Sequence, residues 1–219
     1  MLTFEEIRKN EEIRTYIEKS NEVLGEVGIT EHGFAHVAVA SERAAMILQG
    51  LGYDEKTCTL AKIAGYMHDI GNLINRNGHA HHGASMAFQI LSKLDFTPDE
   101  TAQIVSAIGH HDEKTAFPVS PIAAALIIAD KSDVRRSRVR KTAVIAKDIH
   151  DRVNYAARKA DLELYSDKKI IVLQIDIDTG ICAVMDYFEI FLERMVLCRE
   201  AAEKLGLNFE LIINHTRLL

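Results

Sequence analysis

The chain is poor in residues that break or staple a fold: only three of its 219 residues are proline and three are cysteine. Cys58, Cys182 and Cys198 are odd in number and show no Cys-x-x-Cys spacing, so neither a disulfide framework nor a zinc ribbon is expected. They read as reduced core thiols of a cytoplasmic protein. No apolar run approaches the roughly 20 residues of a membrane span. Glu5, Glu6, Arg8, Lys9, Glu11 and Glu12 leave no room near the start for a secretory apolar region. Excess positive charge is also missing, and a formal net charge of −6 argues against a long nucleic acid as partner.

What is abundant is Ala, Leu and Ile, within an apolar fraction of 47%. That composition favours a packed helical protein with one sizeable domain and room for a small appendage. Thr3 and Glu6 have capping-box spacing and predict one or two amphipathic helices over 4–20, a cover over residues 1–29. Thr30 is the expected cap of a helix running to the break at Gly50–Gly52, and Asp54 of the next. Further helices are predicted over 79–94, from Thr97-Pro98-Asp99-Glu100, from Ser120-Pro121 to Asp130, and over 139–160. The period then changes: 169–177 reads as a strand, Asp178-Thr179-Gly180 as a turn and 181–185 as the return strand. A helix from Asp186 to about Leu205 and a strand over 208–214 complete the reading. The expected fold is mainly α, a helical bundle over 30–164 with a small C-terminal α+β appendage over 165–219, an antiparallel hairpin plus a helix.

Chemistry concentrates around Ala64-Gly65-Tyr66-Met67-His68-Asp69-Ile70-Gly71. A neutral imidazole and a carboxylate on adjacent residues cannot share a helix face, but can share a metal where a helix ends, and Gly71 is placed to end it. Eight of the ten histidines lie between residues 32 and 111. His36, His79, His110-His111 and Asp130 each fall near the end of a predicted helix, as in metal sites of helical bundles. The run Ala123–Ala129 before Asp130 reads as a buried helix carrying one carboxylate, for which a metal is the natural partner.

His36, the doublet His68-Asp69 and the distant Asp130 resemble the signature of the HD superfamily of metal-dependent phosphohydrolases. His79 before Gly83-Ala84, together with His110-His111, is similar to the binuclear branch that includes the HD-GYP cyclic-dinucleotide phosphodiesterases. The GYP part is absent: Asp-Glu-Lys-Thr-Ala-Phe-Pro follows His111. The resemblance implies two divalent metals held by His36, His68, Asp69, His79, His110, His111 and Asp130. His82 competes with His79, and His81 reads as solvated. Mixed imidazole and carboxylate ligation suits Mn, Fe, Co, Ni or Zn better than Mg. His32-Gly-Phe-Ala-His36 resembles the H-x-x-x-H of cyclic-nucleotide phosphodiesterases, which makes His32 either a catalytic acid or a surface histidine at a helix start. The resemblance also implies that Asp69 serves as the catalytic carboxylate. In the basic run from Lys131 to Lys141, Lys131 and Arg135 are the candidate phosphate ligands, against the reading of a solvated charged face. His150-Asp151, lacking the apolar lead-in, reads as surface, with Asn154 and Tyr155 able to reach a substrate from the same helix.

The expected activity is hydrolysis of a phosphomonoester, phosphodiester or pyrophosphate of a nucleotide-like small molecule, by a metal-activated water. Two other readings stay open: a diiron oxygenase and a noncatalytic nucleotide-binding regulator. Strand edges in the C-terminal piece allow a homodimer.

Overall fold

The computed structural model describes residues 2–140 and 149–219. Two short helices, α1 (Phe4–Lys9) and α2 (Glu11–Glu26), open the chain. Thr3 and Glu6 form the capping box of α1, and the Asn10 side chain caps α2 by accepting from Ile13 N–H. Ile7, Ile13, Ile17 and Leu24 are buried, so this pair covers the bundle with one apolar edge. Next come α3 (Phe34–Gly50), α4 (Glu55–Met67), α5 (His79–Leu91), α6 (Pro98–Gly109) and α7 (Pro121–Lys131). Asp54 caps α4, Thr97 with Glu100 boxes the start of α6, and Ser120 caps α7, each satisfying orphan N–H groups for about 1 kcal/mol.

Helix α7 is the axis. Every residue from Ile122 to Ala129 is buried, and it packs against α3, α4 and α6. Each fully buried Ile or Leu stabilises by roughly 1.5–3 kcal/mol. The alanines let the neighbouring helices come close, and the polar end of α7 is thereby held inside the bundle.

Two local expectations are corrected here. The cap of α3 is Gly33 and not Thr30, so His32 stands in the preceding turn. Nor does Gly71 end a helix. Helix α4 stops at Met67, and Gly71 lies within a one-turn 3₁₀ segment, Ile70–Leu73. What requires glycine is close approach, since a Cβ at Gly71 would sit 2.0 Å from His79 O and 2.3 Å from Gly83 N. A similar close approach joins α3 and α4, where a Gly65 Cβ would sit 2.7 Å from Ser41 Cα.

Among the described residues the expected helix over 139–160 is represented by α8 (Ile149–Ala156), residues 141–148 lying outside those described. It gives way directly to β1 (Ala157–Tyr165), which pairs antiparallel with β2 (Ile170–Ile177). The hairpin partner of β2 therefore precedes it. The expected return strand over 181–185 does not form: α9 (Val184–Lys204) begins there, because Tyr187, Phe191, Met195 and Cys198 continue an apolar stripe at helical spacing. Helix α9 is the crossover that lets β3 (Asn208–Ile213) pair parallel to β2, and β4 (Thr216–Arg217) closes on β3. The sheet order is β1-β2-β3-β4. The protein is thus mainly helical but not all-α, and α9 packs on α7 within the same apolar core as the bundle.

Candidate metal centre

The helix ends converge on one buried point. His36 comes from the first turn of α3, His68 and Asp69 from the end of α4, His79 from the first residue of α5, His111 from just beyond α6, and Asp130 from the last turn of α7. His36, His68, Asp69, His79 and His111 are all less than 5% exposed.

In each imidazole Nδ1 is engaged from behind. That of His36 lies 2.8 Å from Asp133 Oδ2, that of His68 2.8 Å from Gly65 O, that of His79 3.1 Å from Arg76 O and that of His111 2.6 Å from Ile108 O. These partners only accept, so Nδ1–H donates and Nε2 of a neutral ring is a bare lone pair. All four Nε2 atoms point inward. Those of His36 and His68 are 3.3 Å apart, and those of His79 and His111 3.1 Å apart. Asp69 and Asp130 add carboxylate oxygens: Asp130 Oδ1 is 3.2 Å from His36 Nε2, and Asp69 Oδ2 is 3.2 Å from His68 Nε2. Asp69 Oδ1 faces His79 and His111 at 3.5 and 3.9 Å.

Lone pairs and anionic oxygens so placed repel one another unless a proton or a metal ion lies between them. Asp69 Oδ2 is buried and accepts no hydrogen bond, the expected condition of an oxygen reserved for a metal. The donor set fits. His36, His68 and Asp130 offer atoms mutually within 4.8 Å, as do His68, Asp69 and His111. Asn72 donates to Asp69 Oδ1 at 2.9 Å and so orients the carboxylate standing between the two groups.

The electrostatics agree. Burial disfavours charge on His68, yet Asp69 and Asp130 push it up to about 10. Burial would raise Asp69 and Asp130, but His68 for the first and Lys131 for the second hold them well below the usual carboxylate range. Burial keeps His79 and, more strongly, His111 neutral, the form that binds a metal.

Not every expected residue arrives. His110 donates Nδ1 to Ser106 O and lines a shallow apolar groove with His81 and Phe88, outside the cluster; the end of α6 can turn only one of two adjacent side chains inward. Of the competing pair it is His79 that joins the cluster, whereas His82 Nδ1 is buried without a partner near Gly78. His32 packs edge-on to His36 at 5.2 Å between ring centroids, its Nδ1 2.7 Å from Thr30 O. Burial and the nearby Arg138 push that imidazole well below its usual range. Lys131 lies beside the centre, 2.7 Å from Asp130 Oδ2 and 3.4 Å from Glu113 Oε1. Arg135 is turned away, its Nε/Nη2 edge donating to both carboxylate oxygens of Asp133.

Arg76 and Arg194 are not marked out by the sequence, and Arg138 is marked only as a member of the basic run after Asp130. Arg76, Arg138 and Arg194 line the recess over Asp69, His79 and Asp130. Arg76 lies in the connection before α5, Arg138 in the basic run, and Arg194 on α9, where it pairs with Glu113. In sequence they are indistinguishable from solvated cations; a basic residue shortly after His68-Asp69 was the one usable signal. Beyond the recess lies a cavity of about 230 Å³, whose wall includes Asn154 and Phe191 together with His150 and Asp151 of α8.

Fold and site define a helical protein built around a buried histidine–carboxylate metal centre. The family model of the HD domain matches residues 33–190. The chain belongs to the HD-domain family. It is 25% identical over 161 residues to the uncharacterized protein MJ1020 of Methanocaldococcus jannaschii, a match covering 64% of this chain and 62% of that protein's length. A solved structure, a predicted HD superfamily hydrolase from an uncultured Thermotogales bacterium, matches 62% of this chain and 75% of its own, at 23% identity and a TM-score of 0.45. No helix among the described residues is long and apolar enough to cross a membrane.

Proposed function

We propose that the protein hydrolyses a phosphate ester or anhydride of a small, nucleotide-like molecule at a pair of divalent ions. The observation carrying this reading is the direct adjoining of the cluster to a recess walled by Arg76, Arg138, Arg194 and Lys131. Buried imidazole and carboxylate donors call for a cation, and guanidinium groups next to them call for phosphoryl oxygens. His36, His68, Asp130 and one oxygen of Asp69 would hold one ion; His79, His111 and the other oxygen of Asp69 would hold the second. Mn, Fe, Co, Ni or Zn suits such donors better than Mg. When bound, the pair supplies an acidified water and positive charge toward the phosphoryl group.

The chain's own groups do the rest. Arg76, Arg138 and Arg194 neutralise the substrate's oxygens and orient the phosphorus toward the centre. Lys131 holds Asp130 in its ionised form. Arg135 serves through Asp133 and His36, not by touching phosphate. His32, at the mouth of the recess, is the group placed to protonate the leaving oxygen. Burial and Arg138 hold the ring well below its usual range, and the negative charge of a bound substrate would favour its protonation.

Metal content per chain, measured on protein purified without chelator and paired with hydrolysis of p-nitrophenyl phosphate and its bis-ester, tests this reading. About two ions with turnover supports it. Two irons with oxygen uptake and no hydrolysis would replace it with an oxygenase, and tight nucleotide binding without turnover under any metal with a regulator.

A further inference from the structure

We infer, resting on the phosphohydrolase reading, that the substrate is a small phosphomonoester whose terminal phosphate is gripped by Arg76, Arg138 and Arg194, with Arg194 as the specificity-determining residue. Two cavities share part of their walls. The inner recess touches Asp69, His79, Asp130 and Lys131, whereas the outer one is bounded by Asn154, Phe191 and the loop Gly28–Thr30. Four residues, His32, Arg76, Arg138 and Arg194, border both and form a collar between them. The inner recess has space for little more than one water, about 10 Å³, so a ligand with its organic end in the outer cavity sets its anionic end at the collar, facing the metal centre.

The charge of the collar selects the anion. Arg138, only 4% exposed, is fixed by Glu31 O at 3.0 Å and Asp133 O at 2.8 Å, and Arg76 by Asn72 Oδ1 at 3.2 Å. The Arg194 guanidinium carbon stands 4.6 Å from the Phe191 ring centroid, and the side chain is braced by Glu113. Preorganised guanidinium groups lose little freedom on binding, and three of them match a terminal phosphate that is mostly dianionic at neutral pH and carries three non-bridging oxygens. A phosphodiester offers a single charge and two such oxygens, and needs an exit for a second organic group.

The outer cavity sets the size. About 230 Å³ falls below the roughly 300–1,000 Å³ of pockets that take drug-sized ligands, leaving space for an organic group no larger than one nucleoside. The reaction is then addition of water oxygen to phosphorus, cleavage of the ester P–O bond, and transfer of a water proton to the departing alcohol, giving inorganic phosphate.

The test uses metal-loaded protein in two arms. Turnover is compared for p-nitrophenyl phosphate, ribose 5-phosphate and a nucleoside 5′-monophosphate against bis-p-nitrophenyl phosphate and a cyclic dinucleotide. Binding of inorganic phosphate is measured by calorimetry in the wild type, Arg194→Ala and Arg194→Lys. We expect monoesters to exceed diesters in kcat/KM by roughly 100-fold or more. Arg194→Ala should weaken phosphate and raise the monoester KM by roughly 10–100-fold, with partial rescue by Arg194→Lys. Metal content and Tm of both variants, kept near wild type, exclude simple misfolding. Diesters turned over as well as monoesters, or phosphate binding indifferent to Arg194, would overturn the inference while leaving the hydrolase standing. Phosphate bound through Arg194 with no ester hydrolysed would instead strike the hydrolase reading and keep the anion site.

Discussion

Asp133 Oδ2 lies 2.8 Å from His36 Nδ1 with both side chains fully buried, so the histidine at the head of α3 is oriented by a carboxylate just beyond α7. Arg135 closes on that carboxylate with Nη2 at 2.9 Å from Oδ2, and Arg138 stands at 3.9 Å. Burial would raise the Asp133 pKa, but His36 and Arg135 hold it well below the usual range. Such a partner fixes the tautomer and the ring angle of a metal-binding imidazole. Asp133→Asn should weaken metal affinity by roughly 10–100-fold, and Arg135→Ala should do so less, as read by titration with Mn or Zn. An unchanged affinity in Asp133→Asn would remove His36 from the ligand set.

His110 and His111 separate cleanly. Alanine at His111 should remove about one ion per chain and most activity, whereas His110→Ala should keep the wild-type metal content. Elemental analysis of the two variants checks this. Equal losses would mean that the end of α6 turns over when a metal binds.

Cation binding should release a proton. Negative charge from Asp69 and Asp130 raises His68 to about 10, so below that pH the ring carries a proton that a metal must displace. Apparent affinity should therefore rise with pH from 6 to 8, with close to one proton released per ion at the His68 site. Calorimetry in buffers of different ionisation enthalpy measures the number.

Gly71→Ala is expected to damage the fold more than the chemistry, because its Cβ would meet backbone on α5 at 2.0 Å and 2.3 Å and backbone cannot swing aside. A loss above about 3 kcal/mol, or a Tm lower by roughly 6–12 °C, follows from such overpacking. A Tm within two or three degrees of wild type would contradict the close crossing.

Away from the site, Glu100 is 3% exposed, pairs with Lys56 at 2.8 Å and accepts from Thr97 N–H at 2.8 Å. The Lys56 hydrogen bond, followed by that of Thr97, lowers its pKa from 4.5 to about 2. A depressed folded-state pKa contributes stability that is complete above the unfolded value and fades as pH falls from about 4.5 through 2. Glu100→Ala should thus destabilise by about 1–2 kcal/mol at pH 7, with the gap to wild type narrowing across that window. Thermal melts at pH 7, 4 and 3 give the comparison.

Much of this was legible because it is local. Thr3-Glu6, Asp54, Thr97-Glu100 and Ser120-Pro121 announce helix starts through side chains that bond their own backbone a few residues on, and the structure has helices at each. The bundle class and the gathering of His36, His68, Asp69, His79, His111 and Asp130 could be foreseen for the same reason: ligands at helix ends fall together once the helices pack. Tertiary structure alone decided the rest. Ala157–Tyr165 holds good helix formers, yet β2 supplies a ladder that overrides their propensity. The neighbours His110 and His111 have equal chemistry, and only the termination of α6 turns one inward. Arg135 and Arg194 are the clearest pair: the nearer cation in sequence is spent on Asp133, whereas the farther one is carried into the site by α9 packing on α7. The chain determines which side chains can ligate and where helices begin. Which charges face the cavity depends on contacts between segments tens of residues apart, and no periodicity along the sequence records them.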